Sequence, residues 1–231
     1  MSMRDRKRPR VTLSYAQTLD GRLATLSGSS QWISGPDALV YAHRLRAEHD
    51  AIMVGVNTVL VDNPRLTVRH VAGTDPLRVI VDSTLRTPLT AAVIADGAAQ
   101  HTLIAVTSRA SNERIAAIED LGAQLLVLPA DPAGHVDLAA LLAALYENGI
   151  ETLMVEGGAT LITALLRERL VDRLAVCVAP KLLGAGMDVG DLGITVLSDA
   201  LRLEGMSVEH FGEDLIISGT IVYAVAERTD G

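Results

Sequence analysis

A glutamate and two glycines separate an apolar run from a helical pattern, which is where a phosphorylated ligand can bind. Residues 151–155 are typical of a buried strand, and the apolar spacing of residues 161–170 predicts a helix. Because Gly157 and Gly158 have no Cβ atom, a ligand can approach their backbone, and a helix N-terminus attracts anions. Glu156 would lie beside that ligand. The segment is not a G-x-G-x-x-G fingerprint, and a tight strand-to-helix turn explains the glycines about as well.

Several arginines lie close together after a predicted helix of residues 36–48. Arg46 is at the end of that helix, and Arg65 and Arg69 lie in a loop that begins at residues 62–64. Converging guanidinium groups make a specific phosphate site because they form bidentate, charge-assisted hydrogen bonds. A nearby threonine and aspartate favour this interpretation. The alternative is a set of solvated surface arginines.

Hydroxyl groups and an arginine follow two further predicted strands, at the edge where open α/β sheets bind ligands. The side chains concerned are Ser83, Arg86, Thr107 and Ser108. Such groups suit another phosphate, for example the 2′-phosphate of NADP. Helix capping by Ser83 and Ser111 is the competing explanation.

The loop after the first predicted strand contains Ser30 and the single tryptophan, Trp32, among several glycines. Loops held by a rigid sheet often carry binding residues, so the segment is interpreted as a lid or a ligand wall. An ordinary packing role for Trp32 explains the sequence equally well.

Composition limits the class of protein. The 231 residues suffice for one large or two small domains, and a 49% apolar content with only 3% aromatic residues predicts an aliphatic core. The net charge of −8 argues against a general nucleic-acid binder. The one cysteine, Cys177, excludes an internal disulfide and is predicted to be a buried core residue. Because no zinc-binding spacing occurs, we expect no metal, and we interpret His43 and His49 as surface or packing residues.

The N-terminal residues and the apolar stretches allow predictions of cellular location and domain organisation. The longest apolar stretch, residues 138–145, is too short to cross a bilayer, and no signal-peptide pattern precedes Val11. We therefore expect a cytoplasmic protein without membrane or nucleic-acid partners. Residues 1–10 are predicted to be a flexible basic arm, and residues 11–231 a single domain.

Strand-like apolar runs alternate with helical patterns along most of the chain. Predicted strands cover residues 11–18, 51–54, 77–82, 102–106, 124–128, 151–155 and 173–179, and predicted helices cover 36–48, 111–121, 136–147 and 161–170. Residues 201–209 and 215–226 resemble a β-hairpin joined at residues 212–214. The pattern predicts one α/β domain with a mostly parallel sheet and an antiparallel edge.

Seven segments in one order resemble the riboflavin-biosynthesis pyrimidine reductase family. They are residues 17–24, 45–47, 50–55, 62–69, 81–83, 155–158 and 179–184. Each motif is loose by itself, but seven in order are specific, and the similarity covers nearly the whole chain. The family resembles dihydrofolate reductase in fold. The resemblance therefore implies a three-layer α/β/α domain with a mostly parallel mixed sheet and a C-terminal antiparallel hairpin.

The activity that the resemblance implies is NADPH-dependent reduction of a phosphoribosylamino-pyrimidine to its ribitylamino product. The sugar opens to an imine or aldehyde equivalent, and C1′ accepts hydride from the nicotinamide, so catalysis depends mostly on positioning. Fused bacterial members carry a zinc deaminase domain before the reductase, and a stand-alone reductase is expected here. The pyrimidine is either the diamino-pyrimidinone or the amino-uracil form, and the sequence does not decide between them.

The resemblance, together with the strand-end groups above, gives a set of expected site residues. The expected cofactor-binding residues are Ala16, Trp32, Thr58, Asp62, Ser83, Arg86, Thr107, Ser108, Gly157, Gly158, Ala159, Thr160 and Leu161. The expected substrate-binding residues are Ser30, Arg46, Arg65, Leu66, Arg69 and Glu156. Asp62 is the first candidate for proton handling and Glu156 the second, and a carboxyl group needs a raised pKa to donate a proton at neutral pH.

Two other functions remain open at this point. Dihydrofolate reductase is disfavoured because a pterin pocket usually has aromatic walls, and this chain has one Phe and one Trp. A catalytically silent nucleotide-binding protein of the same fold is the third possibility. A homodimer is expected from the family and from the apolar hairpin, whose edge would be exposed in a monomer.

Overall fold

A nine-stranded sheet organises the protein. The computed structural model describes residues 7–224. The strands are β1 (Arg10–Thr18), β2 (Ala51–Gly55), β3 (Leu77–Val81), β4 (Thr102–Val106), β5 (Gln124–Val127), β6 (Thr152–Glu156), β7 (Arg173–Ala179), β8 (Arg202–Phe211) and β9 (Asp214–Val222). Their order is β5-β4-β3-β2-β6-β1-β7-β9-β8. The first seven are parallel, whereas β9 pairs antiparallel with both β7 and β8. The predicted mostly parallel sheet with a C-terminal antiparallel hairpin is confirmed.

Helices cover the sheet on both faces. They are α1 (Pro36–Ala47), α2 (Val56–Asp62), α3 (Ala92–Ala95), α4 (Asn112–Asp120), α5 (Leu138–Glu147) and α6 (Ala159–Arg167). The four predicted helices correspond to α1, α4, α5 and α6, with ends that differ by at most three residues. Ser111 caps α4 as the capping explanation expected, but the Ser83 hydroxyl instead accepts a hydrogen bond from the backbone N–H of Val136, at 3.0 Å.

Sequence analysis did not predict α2 or α3. The first of these contains Val56, Thr58, Val59 and Val61, which are β-branched residues with low helix propensity. It ends at Asn63, which adopts the left-handed conformation with φ of 43° and precedes a proline that cannot continue the helix. Tertiary packing of its buried valines therefore outweighs local preference.

Successive side chains of each strand point to opposite faces of the sheet, so a separate core forms on each face. On β2, Ala51 and Met53 belong to a core under α5 and α6, while Ile52 and Val54 belong to a core on the opposite face. A third cluster joins α1 to the strands near Cys177, which is buried as predicted. These clusters give the three-layer α/β/α arrangement.

Few of the predictions concern the two ends of the described region. Arg8 pairs with Asp172 at 2.8 Å, and Arg10 begins β1. Residues 1–6 of the predicted arm and residues 225–226 of the last predicted strand lie outside the described residues. Within residues 7–224, no helix is long and apolar enough to cross a membrane, and no cluster of three His, Cys, Asp or Glu side chains could hold a metal ion.

Candidate active site

Two adjoining cavities open at the carboxyl ends of the parallel strands. The larger has a volume of about 740 Å³ and the smaller about 310 Å³. Both lie where β6 is inserted between β1 and β2, a change in strand order of the kind that creates ligand crevices in open sheets. The residues that line both cavities are Leu23, Ser30, Thr58, Asp62 and Gly158. Two molecules bound side by side would meet at these residues.

The two glycines after β6 are cavity residues: Gly158 lines both cavities and Gly157 lines the smaller one. Gly157 and Gly158 have φ of +67° and +86°, and no side chain caps the N-terminus of α6. A Cβ atom on Gly158 would lie 3.3 Å from the hydroxyl oxygen of Thr58. The next three residues, Ala159 to Leu161, line the larger cavity. An uncapped helix start with glycines before it is suited to a diphosphate, as the sequence predicted.

Two guanidinium groups, those of Arg86 and Arg109, line the larger cavity. Arg86 donates a hydrogen bond to the side-chain oxygen of Asn57 at 3.0 Å, and Arg109 donates to the carbonyl of Gly134 at 2.9 Å. Both line the cavity together with Ser83. These side chains can therefore hold a further anionic group.

Some predicted cofactor residues lie elsewhere. Thr107 is buried, and its hydroxyl donates to the carbonyl of Ser83 at 2.8 Å, while Ser108 is exposed. Neither lines a cavity; Arg109 at the same strand end does. Ala16 and Gly157 line the smaller cavity. Trp32 lines neither cavity, and the residue is 72% exposed.

An ion pair forms one wall of the smaller cavity. Nε and Nη2 of Arg46 each donate to a carboxylate oxygen of Glu156 at 2.7 Å, and Nη1 donates to the carbonyl of Thr67 at 3.0 Å. Both side chains of the pair are largely buried. The predicted substrate residues Arg46 and Glu156 are therefore direct partners, and each fixes the orientation of the other.

The predicted arginine cluster is brought together at the rim of the smaller cavity. Burial, then the positive charges of Arg46 and Arg65, lower the pKa of Arg69. These interactions place the three guanidinium groups near one another, and the carboxylates of Asp75 and Glu156 oppose the shift. Arg65 and Arg69 do not line either cavity, whereas Leu66, in the left-handed conformation, does. The cluster is placed to attract an anion at the cavity mouth.

His43 supports the cluster and was not predicted as a site residue. Its side chain is 2% exposed, its Nδ1 accepts a hydrogen bond from the backbone N–H of Arg69 at 2.9 Å, and its ring packs edge-on against His70. Burial, then the charges of Arg46 and Arg69, lower its pKa to about 4. His43 is a packing residue, as expected, and it also fixes the backbone that carries Arg69.

The free energy of unfolding should fall as the pH drops below about 6.5. The pKa of His43 is about 4 in the folded protein, against 6.5 ordinarily, so the unfolded state binds more protons between these values. This stabilisation is complete above pH 6.5 and is lost toward pH 4, by up to roughly 3 kcal/mol. Urea unfolding at several pH values measures it. In His43→Gln the free energy of unfolding should depend less on pH, whereas substitution of the exposed His101 by Gln should leave the pH dependence unchanged. The same pH dependence in the wild type and both variants would contradict the prediction.

Among the described residues, Asp62 is the carboxylate that lines both cavities. It ends α2, and its side chain makes no hydrogen bond within residues 7–224. Partial burial raises its pKa. A raised pKa is the property that sequence analysis required of a carboxyl group acting as a proton donor near neutral pH.

Comparison with known proteins identifies the family. Residues 9–217 match the family described as RibD C-terminal domain. The chain belongs to this family. It is 46% identical over 221 residues to the 2,5-diamino-6-ribosylamino-4(3H)-pyrimidinone 5′-phosphate reductase of Methanothermobacter thermautotrophicus, covering 93% of this chain and 99% of that protein. It is 42% identical to the riboflavin biosynthesis protein RibD of Aquifex aeolicus, covering 91% of this chain but only 57% of that protein.

Solved structures of RibD-family proteins have the same fold. The chain aligns with Acinetobacter baumannii RibD with a TM-score of 0.80 and 30% identity, over 94% of this chain and 59% of that one. It aligns with the Saccharomyces cerevisiae riboflavin biosynthesis reductase Rib7 with a TM-score of 0.73 and 27% identity, over 94% and 92%. The predicted family and the dihydrofolate reductase-like fold are confirmed.

Proposed function

We propose that this RibD-family chain reduces the ribosyl group of a 5-amino-6-(5-phosphoribosylamino)pyrimidine to the ribitylamino phosphate, with NADPH as the reductant. The observation that carries the proposal is the pair of cavities that meet at Asp62, Thr58 and Gly158. The larger suits a dinucleotide, and the smaller, with arginines at its rim, suits a phosphorylated sugar. Relatives named as reductases of this kind, which the chain matches over nearly their whole length, confirm the predicted reductase of riboflavin biosynthesis.

The larger cavity supports NADPH as the cofactor. Its lining includes Gly158 and the N-terminus of α6, where the diphosphate would bind, and also Arg86 and Arg109. Guanidinium groups bind phosphate bidentately, and NADPH differs from NADH by one phosphate on the adenosine ribose. The two arginines therefore favour NADPH over NADH.

The chemistry follows from placing the two ligands at the shared wall. Ring opening of the N-glycoside gives a C1′=N imine, whose C1′ accepts hydride and whose nitrogen takes up a proton; bound NADPH would supply the hydride. Asp62 is the proton donor, because it lies at the junction and its raised pKa favours the protonated form. The Arg46–Glu156 pair orients the sugar and the pyrimidine. Holding C1′ and the nicotinamide at near-attack distance supplies much of the rate enhancement.

One assay tests this function against the alternatives. The loss of NADPH absorbance is followed with the phosphoribosylamino-pyrimidine in its diamino-pyrimidinone form, in its amino-uracil form and, separately, with dihydrofolate. Oxidation with a pyrimidine alone is expected, and the faster form identifies the substrate. Oxidation with dihydrofolate alone would identify a dihydrofolate reductase. Binding of NADPH without turnover on any of the three would identify a silent nucleotide-binding protein.

Two substitutions should affect the two ligands separately. Arg69→Ala removes a charged hydrogen-bond donor worth about 1.5–3 kcal/mol, so substrate affinity should fall about 10- to 100-fold with little change for NADPH. Gly158→Val places a branched side chain at φ of +86° and against Thr58, so NADPH affinity should fall by a similar factor. Isothermal titration with each ligand measures both effects.

Gly97→Val is the control for the glycine substitution. Gly97 also has a positive φ, of +81°, but no atom lies within 4 Å of its Cβ position, and it lines neither cavity. Gly97→Val should therefore introduce the same kind of backbone strain without lowering the affinity for NADPH. If Arg69→Ala and Gly158→Val both weaken NADPH alone, the division of the site into two cavities is wrong.

We further propose a cytoplasmic homodimer. β8 is an edge strand, and its exposed face carries Met206 and Val208, so a second copy would cover apolar surface there. Light scattering after size exclusion should give twice the chain mass of 24.4 kDa. A mass near that of one chain would refute the dimer.

A further inference from the structure

One lysine side chain reaches across the site entrance to the loop between β1 and α1. The ammonium of Lys181 donates to the carbonyl of Trp32 at 2.7 Å and to the carbonyl of Ile33 at 2.8 Å. No ion pair of Lys181 occurs among the described residues. Hydrogen bonds from a charged donor are roughly twice as strong as neutral ones, so this contact is a firm attachment for two adjacent peptide units.

The lysine is itself fixed to the start of the same loop. The backbone N–H of Leu19 donates to the carbonyl of Lys181 at 2.8 Å, and the N–H of Gly184 donates to Asp20 at 2.7 Å. Farther along, Met187 and Ala24 form a β-bridge. The segment 181–187 therefore packs along residues 19–24 mainly through backbone hydrogen bonds. It contacts residues 32–33 through the side chain of Lys181.

The attached part of the loop is the wall of the site. Ser30 lines both cavities, and Ile33 and Ser34 line the smaller one. Between them, Trp32 has φ of +66°, a conformation that non-glycine residues adopt only when their surroundings impose it. The bond from Lys181 to the Trp32 carbonyl is a direct means of imposing it.

We propose that Lys181 is a positioning residue for hydride transfer: its ammonium holds residues 30–34 as the wall against which the two ligands meet. The expected loss of kcat/KM rests on the proposed function. The expected movement of residues 30–34 does not, because it occurs in the free protein. Without the ammonium, the strained Trp32 peptide relaxes, Ser30 and Ile33 move from the cavity junction, and the ligands lose their alignment.

Lys181→Met tests this, because it keeps the aliphatic stem and removes the donor. Trp32 is the only tryptophan, so fluorescence excited selectively over that of the four tyrosines reports on this loop. The anisotropy of the free protein should fall, and kcat/KM should fall about 10- to 100-fold, the effect of a misalignment near 1 Å. The unfolding midpoint should stay within about 4 °C, because an exposed side chain changes stability little. Lys181→Arg can also donate to two carbonyls, so its anisotropy and its kcat/KM should lie between those of Lys181→Met and the wild type.

Lys7→Met is the matched control, since Lys7 is the only other lysine and lies away from the loop. It should match the wild type in anisotropy and in kcat/KM. The proposal is overturned if Lys181→Met retains wild-type anisotropy, or if Lys7→Met reproduces its kinetic loss. If the wild type reduces no pyrimidine, the proposed function fails, and the anisotropy still decides whether Lys181 holds the loop.

Discussion

Replacing Asp62 with asparagine should lower kcat by about 10²- to 10⁴-fold, the usual contribution of general acid–base catalysis. Asparagine keeps the shape of the side chain but has no titratable proton to donate. KM for the substrate should change little, because the arginines at the rim of the smaller cavity remain. Steady-state kinetics with NADPH and the phosphoribosylamino-pyrimidine measure both parameters.

The pH dependence of kcat gives a second test of Asp62. An acid must be protonated to act, so kcat of the wild type should fall as the pH rises through the raised pKa of Asp62. This decline should be absent in Asp62→Asn. Asp120→Asn, at the exposed end of α4, should behave as the wild type. A full-rate Asp62→Asn enzyme would exclude Asp62 as the proton donor.

Replacing Arg46 with methionine should have the largest combined effect on stability and binding. The substitution leaves the mostly buried carboxylate of Glu156 without its partner, which costs about 3 kcal/mol when one member of a buried pair is removed. It also removes a guanidinium from the rim of the smaller cavity. The free energy of unfolding should therefore fall, and substrate affinity should fall at least about tenfold. Urea unfolding and titration with substrate measure the two effects.

A double substitution separates the structural part of that effect from the binding part. In Arg46→Met with Glu156→Leu both charges are gone, and replacing a buried pair by apolar side chains is often neutral for stability. The double variant should regain most of the free energy of unfolding but not the affinity for substrate. Normal binding by the stable double variant would mean that the pair serves only the fold.

Strands and amphipathic helices could be predicted because each has a local pattern. The short apolar runs of β2 and β6 are typical of buried strands, and both strand assignments agree with the structure to within one residue. Helix α2 has no such pattern, since its β-branched residues favour strands, and only the packing of Val56 and Val59 stabilises it. The family resemblance assigned Thr58 and Asp62 of this segment to the cofactor site, although the conformation of the segment was not predicted.

Site residues could be predicted singly but not as partners. Arg46 and Glu156 were both expected to contact substrate, yet they are 110 residues apart in sequence, and nothing local indicates that they form an ion pair. The same holds for His43, which appears in the sequence as one more helix residue. At the end of β4, hydroxyl chemistry suggested Thr107 and Ser108, but the turn buries the first and points the second to solvent, so Arg109 reaches the cavity.

The insertion of β6 between β1 and β2 delays completion of the sheet during synthesis. Leu13 pairs with Val155, and Ala51 with Leu153, so these edges of the first two strands wait for a segment translated much later. Strand β2 can pair earlier with β3, but both neighbours of β1, which are β6 and β7, are made late. Contacts between such distant segments also fold slowly. Because Cys177 and Ile216 line the smaller cavity, nascent chains are expected to depend on chaperones until the C-terminal strands are made, and only then can ligands protect them.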